Sequence, residues 1–364
     1  MTAPAVIAHA DWGTGPRKRQ VAMARLLPGG GARYLVVSVA PAPDGQWPKD
    51  DLFGQLRAAA SPGQAMVGFD FPIGLPGAYA KAAGISSFPE FLDGFGSPPW
   101  QEFAAVARHR DEITLHRPFY PDKPGGTRRE HLQLALGLTA KELRRRCEGT
   151  DAEALFWTLG GKQVGKGALA GWRLLTAARQ REPGIALWPF DGPLPGLLDG
   201  GGRIVVAETY PREYYRYIRP PVAQVGRWSK RRQADRRTWA PGLLRWAESL
   251  GVGWHPGVLS RVEEGFSAGP NGEDEFDAVA GLLGMIAVVT GTIPSGEPPG
   301  DAEITTIEGW ILGRRGDDDG LRIAQGVDET AGITRGNQDD APLNSRLAQR
   351  LREILGGEAG ERKP

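Results

Sequence analysis

Cysteine is nearly absent from this chain: Cys147 is the only one in 364 residues. A lone thiol excludes an internal disulfide framework and fits a reducing compartment. Histidine is scarce as well, five in all and scattered. Without a close cysteine pair, a structural zinc site lacks its usual ligands. Net charge is almost nil, +1 at pH 7, so no chain-wide basic field draws nucleic acid. The longest apolar stretch, about residues 276–289, is too short to span a bilayer. No basic run precedes an apolar segment at the N-terminus, so no signal peptide is read there. These absences together predict a cytoplasmic protein with no membrane partner.

Turn formers are abundant: 52 glycines and 30 prolines without a G-X-Y period, which point to many loops on a folded scaffold. Hydrophobic residues at 40% and charged residues at 24% rule out wholesale disorder. Charge is unevenly spread. Residues 301–340 carry ten acids against four bases, and residues 227–237 carry six bases against one acid. The second cluster is a local basic patch that the average hides.

Residues 4–10 form a short apolar run closed by the turn cluster Asp11 to Pro16. Residues 20–27 and 33–40 follow as two further strand-like runs, with Gly29-Gly30-Gly31 between them. That spacing predicts a three-stranded antiparallel meander. Residues 50–60 place Leu52, Phe53, Leu56 and Ala59 on one helical side, and residues 64–69 read as a buried strand stopped by Asp70-Phe71-Pro72. Residues 203–207 give another strand, ending at Glu208, and residues 274–289 a final apolar helix. Between them lies an insertion, about residues 77–200, with helices expected over 128–147 and 168–179. The segment 316–364 is polar, is expected to be a flexible tail, and holds one short amphipathic helix over 344–355, where Leu347, Leu351 and Leu355 align. The folded domain is therefore expected to end near residue 315.

Asp11, Asp70 and Glu208 each follow an apolar strand and precede a turn. If those strands are neighbours in one sheet, the three acids converge at its edge. Asp277 joins them from the final helix, with Asp274 one turn earlier. An Asp at such a place can simply cap a turn, and Asp274 can be the N-cap of its helix. Four acids in this order, without cysteine or histidine, point instead to a hard divalent cation, Mg²⁺ or Mn²⁺. Two such ions about 4 Å apart would clamp the attacking and leaving oxygens of a phosphodiester.

The segments Ala10-Asp11-Trp12, Gly68 to Pro76, Glu208-Thr209-Tyr210-Pro211 and Phe276-Asp277-Ala278-Val279-Ala280, in this order, resemble the family known as domain of unknown function 429. Its members are described as RNase H-like nucleases. Residues 156–166 and Glu308 to Leu312 are similar to that family too, so the resemblance covers about residues 5–315. It implies an α/β fold: an RNase H-like mixed five-stranded sheet flanked by helices, its first three strands antiparallel. It also implies an acidic two-metal site, with Asp11, Asp70, Glu208 and Asp277 at the matching positions.

Residues 160–167 read G-x-x-x-x-G-K-G, one residue from a phosphate-binding P-loop, but Gly167 lacks the hydroxyl that would ligate Mg²⁺. Lys162 and Lys166 remain candidates for holding a substrate phosphate. Arg227, Lys230 and Arg231 are candidates for tracking a nucleic-acid backbone. Trp12, beside the first acid, is the stacking candidate. The functional expectation is a metal-dependent nuclease hydrolysing DNA or RNA. Two alternatives stay open. One is a binding protein on the same scaffold that holds nucleic acid or a nucleotide without cutting it. The other is an actin-like or sugar-kinase-like ATPase, which Asp11-Trp12-Gly13-Thr14-Gly15 would suit but for the missing second Asp-Gly loop.

Overall fold

The computed structural model describes residues 2–29, 33–43, 51–149, 152–160, 164–182, 184–218 and 228–315. The expected tail 316–364 and its helix lie outside the described residues. Strands β1 (Val6–Trp12), β2 (Arg19–Leu26), β3 (Tyr34–Pro41), β4 (Ala65–Phe69), β5 (Ile185–Leu187), β6 (Ile204–Glu208) and β7 (Gly253–Trp254) form one sheet in the order β5-β6-β4-β1-β2-β3-β7. The helices are α1 (Leu52–Ala60), α2 (Gly77–Ala83), α3 (Phe88–Asp93), α4 (Glu130–Leu136), α5 (Val164–Arg181), α6 (Leu194–Leu198), α7 (Pro211–Ile218), α8 (Gln233–Ser249), α9 (Pro256–Glu263) and α10 (Gly272–Val289). Among the described residues, no helix is long and apolar enough to cross a membrane.

β1 pairs antiparallel with β2, and β2 with β3, as the turn spacing predicts. On the other side β1 pairs parallel with β4, and β4 with β6. The sheet has seven strands where five are expected. The additional two, β5 and β7, lie at its edges and hold three and two residues. Segments so short carry no readable period. The helix expected over 128–147 is cut to α4, because Gly137 turns left-handed at φ 67 and ends it.

Every residue of β1 is buried, as a strand covered on both faces requires. The two faces feed separate apolar clusters. Val6, Ala8, Ala10, Ala65, Val67, Phe69 and Val206 pack with α1, α3 and α5. Ile7, Met66, Val205 and Ala207 pack with α7, α8 and α10. α10 is apolar on nearly all sides and buried from Glu275 to Val289. Its first turn carries Glu273, Asp274 and Glu275, acids that suit the positive end of the helix dipole. Asn271, not Asp274, flanks the helix start. One residue sets how closely α10 approaches the sheet. A Cβ at Gly281 would stand 2.4 Å from the His9 ring, so only glycine lets the helix rest on β1. Asp277, one turn earlier on the same helix face, is thereby carried to the end of that strand.

Candidate functional site

Strand pleating decides which acids meet. Ala10, Phe69 and Glu208 are register partners across β1, β4 and β6. Residues aligned in this way share one face, and their successors share the other. Ala10 and Phe69 face the α5 side, so Asp11 and Asp70 face α10 and meet Asp277. Glu208, aligned with Phe69, faces away from them.

Asp11 and Asp70 are joined by a side-chain hydrogen bond. Asp70 Oδ1 also accepts the Trp12 N–H at 2.7 Å. Burial, then the charges of Asp70 and Asp277, hold the Asp11 carboxyl well above the usual carboxylate range. Asp70 is raised by burial too, but the hydrogen bonds from Asp11 and Trp12 oppose that. Of the two, Asp11 is pushed up the more strongly, because burial and both neighbouring charges act on it in the same direction. Asp277 Oδ1 accepts the Tyr215 hydroxyl, and its Oδ2 lies 2.5 Å from Lys230 Nζ. Attraction to Asp277 raises the Lys230 ammonium against the opposing effect of burial.

Lys230 is held there from below. Arg236 is fully buried, and its guanidinium donates to the carbonyls of Lys230, Gly265 and Ser267. Arg236, in the first turn of α8, thereby fastens the loop that presents Lys230.

Besides Tyr215, one more side chain not anticipated from the sequence belongs to this place. Gln20 lies opposite Asp11 in the β1–β2 register. It is 1% exposed, and both polar atoms of its amide are buried without a hydrogen-bond partner. A polar residue inside an apolar strand was the available signal. Asp274 Oδ2 is likewise buried and unpartnered, and burial, Glu273 and Asp277 raise this carboxyl to about 7. His9, also on this face, shares a hydrogen bond with Thr209 Oγ1 at 2.7 Å. Burial pushes it down to about 3, so it is neutral at pH 7.

Other expected residues stand elsewhere. Glu208 is engaged by Arg145, whose Nη1 and Nη2 each lie 2.6 Å from a carboxylate oxygen, and by the Ile73 N–H at 2.6 Å. Its carboxylate accepts three hydrogen bonds and lies on the other face of the sheet, so the structure does not bring it together with Asp11, Asp70 and Asp277. Trp12 is only 6% exposed, edge-on to Phe69, with the Arg19 guanidinium 4.3 Å above its ring. A covered ring offers no face for a base. Lys166 is half-buried in the first turn of α5. Arg231 is exposed, with its Nε 3.7 Å from Glu273. Lys162 and Arg227 lie outside the described residues.

The donor set of Asp11, Asp70, Asp274 and Asp277 is all oxygen, buried at Asp11 and Asp277, half-buried at the other two, and short of positive charge, which suits a hard divalent cation. Among the described residues, no group of three or more His, Cys, Asp or Glu stands in a coordinating arrangement. The Asp11 and Asp70 carboxyls are both pushed up, and Lys230 Nζ occupies Oδ2 of Asp277. Compared with family profiles, curated proteins and solved structures, the chain matches none.

Proposed function

We propose that the protein is a divalent-cation-dependent hydrolase of phosphodiester bonds in nucleic acid, built on an RNase H-like sheet. One observation carries this reading. Asp11, Asp70 and Asp277 come from three elements far apart in sequence and meet in one buried, under-neutralised place. A fold gains nothing in stability from such crowding, so the arrangement serves a ligand. The strand order supports the scaffold: three antiparallel strands, then β4 and β6 parallel to the first.

Asp11, Asp70 and Asp277 would hold Mg²⁺ or Mn²⁺, with Asp274 near. Such an ion supplies a Lewis acid and lowers the pKa of a bound water. The chain's own residues prepare that place. The Trp12 N–H fixes the Asp70 carboxylate, and Tyr215 fixes Asp277. The Gln20 amide offers a donor and an acceptor that the protein itself leaves unused. Lys230 neutralises Asp277 in the absence of a cation and, once displaced, carries its charge toward a phosphate. The Glu208–Arg145 pair holds the loop after β4 from the opposite face, through the Ile73 N–H.

The Lys230–Asp277 ion pair favours one second reading, a protein that binds nucleic acid through Lys230 without cutting it. A nuclease assay on mixed DNA and RNA, with and without Mg²⁺ or Mn²⁺, separates the two. Cation binding is read by unfolding. The parent should gain about 2.7 kcal/mol at a hundred times the dissociation constant, while Asp11→Asn and Asp70→Asn lose most of that gain. Lys230→Gln should bind the cation more tightly. Equal cation responses in all four proteins overturn the reading.

A further inference from the structure

We propose that the inserted segment carries a second site, a basic cleft that binds a phosphomonoester group. The cleft has a volume of about 510 Å³ and is lined by Arg108, Arg110, Asp111, Tyr120, Arg128 and His131. That volume is in the range of small-ligand sites. Its floor is rigid. Tyr120 is 2% exposed, its N–H donates to the Phe156 carbonyl at 2.9 Å, and its hydroxyl lies 2.9 Å from His131 Nδ1. Gly125 and Gly126 line the cleft and turn the chain with φ of 133 and 62, angles that need glycine.

The three guanidinium groups keep donors to spare. Arg108 stands 3.6 Å from Asp122 and Arg110 3.6 Å from Asp111, both beyond hydrogen-bond distance and both on exposed side chains. Arg128 has no ion pair among the described residues. Its neighbour Arg129 shows the contrast: Glu153 grips it with two bonds of 2.6 Å, and its guanidinium lies 4.9 Å from the centre of the Trp157 ring. The positive field of the cleft is felt at His131. Burial, Arg110 and Arg128 lower its pKa, while Glu130 and Asp111 act the other way. Among the arginine and carboxylate side chains of the lining, three arginines stand against Asp111, an excess of two positive charges. Two charges match a dianionic phosphomonoester better than the single charge of a phosphodiester. Guanidinium forks fit its oxygens pairwise.

The source of the monoester is either a free mononucleotide or the 5′-phosphate of a nucleic-acid end. The site stands on its own residues, apart from the reading of the acidic cluster. It is tested with the full chain in chelator, by calorimetry and by the NMR signal of His131. The probes are inorganic phosphate, a nucleoside 5′-monophosphate, and one oligonucleotide with and without its 5′-phosphate. Saturable binding of inorganic phosphate is expected, with a raised His131 pKa. Arg110→Ala and Arg128→Ala should each weaken it about tenfold. Arg245→Ala, an exposed arginine on α8, and Asp11→Asn should leave it unchanged. Whether the mononucleotide or the 5′-phosphorylated oligonucleotide binds more tightly identifies the source. No saturable binding at about 1 mM overturns the proposal. So does equal loss in Arg245→Ala and Arg128→Ala, or an oligonucleotide that binds alike with and without its 5′-phosphate while the mononucleotide fails.

Discussion

At the ends of β1, β4 and β6 the two faces of the sheet treat buried carboxylates in opposite ways. On the α5 side, Glu208 has a guanidinium bonded to both oxygens and a backbone N–H as well. Arg145 is in turn held by Glu148 at 2.9 Å and by the Glu308 carbonyl at 3.1 Å. On the α10 side, among the described residues, Asp11, Asp70, Asp274 and Asp277 have one ammonium in direct contact, that of Lys230 on Asp277, while Lys18 acts on Asp274 only through its charge. The first arrangement is a closed network in which donors and acceptors are matched. The second carries crowded acids whose carboxyls are pushed up, and an amide without a partner. A stable fold requires only the first kind, and the second is the ground on which we propose a ligand site there.

The sharpest way to break this comparison is to open the closed network. Arg145→Met should cost about 3–5 kcal/mol in urea unfolding, because it leaves Glu208 and Glu148 buried without a partner. A loss below about 1 kcal/mol, the level of a surface pair, would remove the distinction between the faces.

The opposite sign is expected across the sheet. In chelator at pH 7, Asp11→Asn should raise stability by about 2 kcal/mol, since a neutral isostere replaces a crowded acid. Folded Asp11 holds its proton more tightly than the unfolded chain does. Its contribution therefore favours folding at low pH and is lost as pH climbs above the unfolded carboxyl value through the folded one. Asp11→Asn should flatten that decline, which a series of unfolding curves between acid and neutral pH would reveal. A variant less stable than the parent at neutral pH would show that Asp11 is a paired structural acid like Glu208.

Asp274 sharpens the comparison with a smaller effect. Its folded value of about 7 against an ordinary 3.8 places its loss of stability between those two pH values. Asp274→Asn should gain about 1 kcal/mol at pH 8 and nothing at pH 3, the full shift being reduced by solvent at this half-buried group. The smallest effect belongs to Arg231, which is exposed beside Glu273. Arg231→Ala should change stability by less than about 0.5 kcal/mol. If nucleic acid lies across the acidic site, the same variant should reduce the salt dependence of binding by about one unit. An unchanged slope would take Arg231 out of the interface.

Much of the scaffold is legible in the chain. The apolar run ending at Asp11, the glycine-rich turn before β3 and the proline after Asp70 announce β1 to β4 with errors of one or two residues. The final helix is plain in its apolar pattern. The error over 128–147 has a local cause, since Gly137 in a left-handed conformation ends a helix that the surrounding composition favours. Glu208 shows a different limit. From the chain it looks like Asp11 and Asp70, an acid closing an apolar strand. In β1 and β4 the acid follows the aligned pair Ala10 and Phe69, whereas in β6 the acid itself is the aligned residue. One position in register sends it to the other face. Gln20 and Tyr215 were missed because their roles depend on the strand opposite and the helix beside them, not on their own neighbours in sequence.

By itself, the sequence determined where the chain could form buried strands, where it had to turn, and which residues could carry charge at the strand ends. Hydrophobic runs, prolines and glycines act locally, so their effects are written in consecutive residues. Tertiary structure alone decided which acids share a face, that Arg145 closes one of them off and that Lys230 reaches another. Those outcomes rest on interstrand register and on how closely a helix can approach a sheet, which are set by residues hundreds of positions apart and have no signature in any single segment.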